Sequence, residues 1–171
     1  MTHPKAIELL KKAVQLEKNG LKNYLKYARQ TADPYGKNMF ILLANDEFDH
    51  MTLLENLVAK MDQQLPLNDV KLDLSAIEKV VPKLREKDVL TKGTEGQDQL
   101  SALRTAANLE RDSIHLYENI RDQADDPEVK RIAQRLVEME ESHYELIQAE
   151  IDSILGTGFW FGYKEFDLNA G

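Results

Sequence analysis

The feature that most constrains this chain is an internal repeat. Two Asp-Pro pairs, Asp33-Pro34 and Asp126-Pro127, lie 93 residues apart, and sliding the chain by that offset aligns much else without a gap. Ala13 falls on Ala106, Leu16 on Leu109, Glu17 on Glu110, Tyr24 on Tyr117, Lys37 on Lys130, Leu43 on Leu136, Glu47 on Glu140 and His50 on His143. Each repeat unit contains two long segments of helical periodicity joined by only a few residues. The unit is therefore a hairpin of antiparallel helices, and neither copy can bury its apolar stripe alone.

Helical periodicity predicts helices over about residues 4–31, 34–63, 95–124 and 127–155, with almost no alternating strand pattern. Each Asp-Pro pair places an Asp N-cap before a Pro at the first helical position, where its missing N–H costs nothing. Gly156 is a natural stop after the fourth helix. Between the hairpins, residues 64–94 form a long crossover containing "SAIE" (Ser75 to Glu78), a capping box for a short helix cut by Pro82. The expected fold is all-α, an antiparallel four-helix bundle with a long crossover between helices 2 and 3. The bundle is expected to span 1–158, with repeat halves at about 5–62 and 96–155. Residues 159–171 form a tail whose Phe159, Trp160, Phe161 and Tyr163 are expected to pack on the bundle or on another subunit.

The expected inward stripes are Ile7, Leu10, Val14, Glu17, Leu21, Tyr24 and Ala28 in the first helix, and Phe40, Leu43, Glu47, His50, Leu54 and Leu57 in the second. The third carries Leu100, Leu103, Ala107, Glu110, Ile114 and Tyr117; the fourth carries Val129, Ala133, Leu136, Glu140, His143 and Ile147. All four are apolar except near the middle. Burying four carboxylates in one layer costs each several kcal/mol of hydration and adds mutual repulsion. Two divalent cations remove both objections: they neutralise the four charges, and two imidazoles complete the coordination.

Residues three apart lie on one helix face, so Glu47 with His50, and Glu140 with His143, can bind from one side. One Glu from each of two helices and Glu-x-x-His from each of the other two is the donor set of di-iron and di-manganese bundles. Carboxylate and imidazole donors suit iron or manganese and also accept zinc; the set alone does not choose. Tyr24 and Tyr117 follow Glu17 and Glu110 by seven residues, placed for a phenol to hydrogen-bond a ligating carboxylate. His115 is off the stripe, His3 is terminal, and Glu138, Glu141 and Glu145 belong to a solvated face.

Composition removes several alternatives. The chain has no cysteine, which excludes disulfides, thiolate metal sites and a thiol nucleophile. A net charge of −8 with no basic tract argues against nucleic acid as a partner. No stretch approaches the roughly 20 apolar residues of a membrane span, and the N-terminus lacks an apolar block with a cleavage site, so the expected compartment is the cytoplasm.

The stretches "LEKNGLKNYLKYA" (Leu16 to Ala28), "LLANDEFDH" (Leu42 to His50), "LERDSIHLYENI" (Leu109 to Ile120) and "LVEMEESH" (Leu136 to His143) resemble the ligand-bearing helices of rubrerythrin-related proteins in the ferritin-like superfamily. The resemblance covers about residues 5–155. It implies a ferritin-like bundle with two non-haem Fe ions held by Glu17, Glu47, His50, Glu110, Glu140 and His143, with Glu47 and Glu140 bridging. It implies oxidoreductase chemistry on hydrogen peroxide or dioxygen. Typical members also carry a four-cysteine rubredoxin-like domain; here electrons must come from an external donor such as a rubredoxin-like protein. They further have a Glu one turn after the third helix's ligand, where this chain has Ser113. The long crossover and the tail suggest a homodimer or small homo-oligomer. Two other classes remain open: iron binding or ferroxidase activity for storage or delivery, and a metal-free helical interaction bundle.

Overall fold

A computed structural model describes residues 4–32, 34–71, 97–155, 159–160 and 163–164. It contains α1 (Pro4–Gln30), α2 (Pro34–Asp62), α3 (Gln97–Gln123) and α4 (Pro127–Leu155), within two residues of the expected boundaries. The all-α four-helix bundle is thereby shown. A short antiparallel hairpin follows α4, pairing Phe159 with Lys164 and Trp160 with Tyr163. The Asp33 cap, the Ser75 to Glu78 capping box, Pro82, Gly156, most of the crossover and the tail's packing lie outside the described residues. No helix among the described residues is long and apolar enough to cross a membrane.

Local signals act as expected where they are described. Asp126 Oδ1 accepts hydrogen bonds from the backbone N–H groups of Glu128 at 2.8 Å and Val129 at 3.4 Å, which satisfies two of the unpaired donors opening α4. The end of α2 closes differently, with Gln64 in the left-handed region (φ 55°) and Leu65 N–H bonded to the Lys60 carbonyl at 2.8 Å. The crossover then turns back: Leu67 and Val70 are buried, and Arg131 donates to the Val70 carbonyl at 3.1 Å.

Two apolar clusters fill the bundle. One joins Leu10 and Ala13 of α1, Leu54 and Leu57 of α2, Tyr117 and Ile120 of α3, and Ile132 and Leu136 of α4. The other joins Tyr24 and Ala28, Phe40 and Leu43, Leu103 and Ala106, and Ile147 and Ile151. The late part of α1 thus packs with the early part of α3, and the early part of α2 with the late part of α4, so both of these pairs run antiparallel. Each fully buried leucine contributes about 2 kcal/mol, and the two clusters together offset the polar layer lying between them.

The observed inward line of α1 differs from the expected one. Val14 and Leu21 are half-buried, whereas Ala13 and Gly20 are buried; in α3 Leu100 and Ile114 are half-buried, with Ala106 and Ser113 buried instead. The reason is steric. At Gly20 the missing side chain leaves space that the Glu47 carboxylate of α2 occupies, while Ala13 and Ala106 pack into the two apolar clusters.

Candidate metal centre

Eight polar or charged residues are buried among the described residues: Glu17, Asp46, Glu47, His50, Glu110, Ser113, Glu140 and His143. All six residues expected as ligands are in this group, and the two copies of the repeat bring them into one layer. They form two overlapping sets, Glu17, Glu47, His50 and Glu140, and Glu47, Glu110, Glu140 and His143. Within each set the potential donor atoms lie within 4.8 Å of one another. Glu47 and Glu140 belong to both.

His50 Nδ1 faces Glu140 Oε1 at 2.9 Å and Glu17 Oε2 at 3.6 Å. His143 Nδ1 faces Glu140 Oε2 at 3.1 Å, Glu47 Oε1 at 3.4 Å and Glu110 Oε2 at 3.7 Å. The two rings stack with centroids 5.5 Å apart and an interplanar angle of 17°. Several of these approaches lack hydrogen-bond geometry: Glu17 Oε2, Glu47 Oε1, Glu140 Oε1 and both ring nitrogens of His50 are buried without a hydrogen-bond partner among the described residues. Buried polar atoms left unpaired in this number are costly. Cations offered to these oxygens and nitrogens would satisfy them together, so the residues present fit a pair of divalent metal ions.

The proton affinities express the same crowding. Burial, reinforced by Glu17 and Glu140, raises the Glu47 carboxyl well above its ordinary value, and burial with Glu140 does the same to Glu110. For Glu140 burial also pulls upward, but His50 and His143 outweigh it and hold the group well below the usual range. Burial opposes charge on His50 and His143, yet the carboxylates around them, Glu140 foremost, raise both. The raised carboxyls and the raised imidazoles share one cause, acidic groups crowded together out of water.

Both tyrosines expected beside the cluster reach it, with a different partner from the one on their own helix. Tyr24 donates to Glu110 Oε1, and Tyr117 donates to Glu17 Oε1. Seven residues span about 10 Å of helix, too far for a phenol to turn back to its own Glu, while the ring leans toward the N-terminus and meets the facing helix. Burial first, then the charge of Glu17, raises the Tyr117 hydroxyl, keeping it protonated as a donor.

Two further features escaped sequence reasoning. Asp46 is fully buried and its Oδ2 lies 3.1 Å from His143 Nε2. The signal was available: the repeat pairs Asp46 with Met139, an apolar residue, which marks a carboxylate at an interior position. Gly20 is the second. A Cβ built there would stand 2.9 Å from Glu47 Oε2, so any larger residue would displace that carboxylate from this position. Beside it is a small cavity lined by Leu16, Gly20, Tyr24, Glu47, Leu109, Glu110 and Ser113, with about 10 Å³ for the centre of a water-sized molecule. His115 is exposed and pairs with Glu118, and Glu138, Glu141 and Glu145 are exposed, as expected.

A protein-family model described as Rubrerythrin matches residues 8–151. No curated protein and no solved structure matches. The matched region contains all but the outermost turns of both hairpins and every residue of the buried layer, and the chain belongs to the rubrerythrin family, a ferritin-like di-iron family.

Proposed function

We propose that this protein is a di-iron oxidoreductase that reduces hydrogen peroxide, with Glu17, Glu47, His50, Glu110, Glu140 and His143 holding two irons and a separate donor protein returning the electrons. The observation that carries this reading is the pair of overlapping donor sets sharing Glu47 and Glu140, with five buried atoms lacking hydrogen-bond partners among the described residues. Held by these six residues, two ferrous ions would supply the two electrons that, together with two protons, the reduction of peroxide to two waters requires. Around that chemistry this chain supplies position and protection. Tyr24 and Tyr117 hold the outer oxygens of Glu110 and Glu17. The two apolar clusters exclude bulk water from both ends of the layer. Gly20 and Ser113 leave a water-sized opening beside Glu47 and Glu110, which suits peroxide or dioxygen and no bulky substrate.

The test is anaerobic loading with ferrous iron, then rapid mixing with peroxide or with air. Fast appearance of ferric near-ultraviolet absorption with about two irons per chain, faster with peroxide, supports the proposal. Loaded protein that does not oxidise overturns it. Uptake of many irons per chain into a closed multi-subunit shell replaces it with iron storage.

A further inference from the structure

The internal repeat makes unmatched positions visible. It carries every expected ligand onto an equivalent one, but it carries Asp46 onto Met139, and both are buried. The two imidazoles are consequently held in different ways. His143 has a carboxylate on each side: Asp46 Oδ2 at 3.1 Å from Nε2, and the shared layer facing Nδ1. When Nδ1 is given to a cation, the one remaining ring proton is on Nε2, where Asp46, which as a carboxylate only accepts, holds it. His50 turns Nδ1 inward in the same way, but its Nε2 is buried without a hydrogen-bond partner among the described residues. Met139 offers at most a weak thioether acceptor.

This difference bears directly on cation affinity. A carboxylate behind a ligating imidazole fixes its tautomer and orientation and raises its basicity, and loss of such a partner typically costs 10- to 100-fold in metal affinity. Asp46 also adds a negative charge to one half of the cluster that the other half does not have.

We infer that the two halves are unequal metal sites: the set of Glu47, Glu110, Glu140 and His143, backed by Asp46, fills first and binds tighter, and the set of Glu17, Glu47, His50 and Glu140 fills second and empties first. The inference rests on the proposed metal function but can fail separately from it. At limiting metal the protein holds one ion at the His143 side, with His50 still free.

Zinc, which has no redox chemistry, is the probe. Metal-stripped full-length protein is titrated with zinc by calorimetry and by nitrogen NMR of the histidine rings, the latter assigned with His50→Gln. Two steps at least tenfold apart are expected, the first moving the His143 ring and the second the His50 ring. Asp46→Asn, close in size, should weaken the first step about 10- to 100-fold and narrow the gap. Two equal steps, a His50 ring that moves first, or an Asp46→Asn protein that keeps its fold and binds as the native one does would overturn the ordering. A flat native titration would instead remove the metal reading, and the ordering with it. The order of ring shifts is read in the native protein, so Asp46→Asn need not fold for the ordering to be tested; His50→Gln serves only to assign the signals.

Discussion

Tyr117 donates a hydrogen bond to Glu17, a residue 100 positions earlier in the chain, and Tyr24 makes the reciprocal bond to Glu110. Each half of the repeat therefore steadies the carboxylate of the other half. Replacing Tyr117 by Phe removes the donor and leaves a buried carboxylate oxygen unpaired, so the metal-free protein should lose about 1–3 kcal/mol. Denaturant unfolding measures this, and Tyr24→Phe should give a similar loss. An unchanged midpoint in both variants would mean the hydroxyls are not bonded to the cluster in solution.

Gly20 sets how close Glu47 may come. A methyl group there meets Glu47 Oε2 at 2.9 Å, and the carboxylate must move. Gly20→Ala is expected to lower metal affinity about 10- to 100-fold, the range for disturbed ligand support, although alanine favours the helix by about 1 kcal/mol. Metal titration together with thermal unfolding separates the effects: weaker binding in a helix that is no less stable. Ser113→Ala, at the repeat-related position, removes only a hydroxyl and should retain metal.

Metal should stabilise the fold strongly. Cations bind the assembled layer, which the unfolded chain lacks, so free metal at 100 times its Kd adds about 2.7 kcal/mol. Calorimetric melting of stripped and reloaded protein measures the gain. Glu47→Ala with Glu140→Ala should abolish it, since both carboxylates belong to both donor sets.

The pH dependence of the metal-free protein follows from the same layer. His50 and His143 have folded values raised above 6.5, so their contribution is full below that pH and is lost as pH rises through the folded values. Glu47 and Glu110, raised above 4.5, act in the same direction: the folded form keeps protons that the unfolded form has released. Glu140, lowered below 4.5, contributes above that pH and loses its contribution only in stronger acid. Melting temperature without metal should therefore fall from about pH 6 to pH 9. With metal the fall should flatten, because cations replace the protons, and metal affinity should rise with pH. A melting temperature that rises across this range without metal would contradict the buried layer.

Much of this was legible in the chain. The repeat offset, the 3.6-residue period and the Asp-Pro caps are local or self-referential signals, and they fixed four helices to within two residues of their ends. The polar interruptions at Glu17, Glu47, His50, Glu110, Glu140 and His143 stood out because a buried charge conflicts with an apolar stripe, and all six are buried together. What one helix presents to its own core can be read from spacing.

What spacing cannot supply is which side chain meets which across the bundle. The partners of Tyr24 and Tyr117 are on facing helices, Asp46 reaches His143 from 97 residues away, and Gly20 matters only because Glu47 comes from α2 to occupy its missing Cβ. By itself the sequence determined the helices, their pairing into repeated hairpins and the residues whose burial demands compensation. Only the tertiary structure decided the inward line through Ala13 and Gly20, the exchange of tyrosine bonds between halves and the unequal backing of the two histidines. Those depend on helix rotation and on distances between helices, which are settled by packing the whole layer at once.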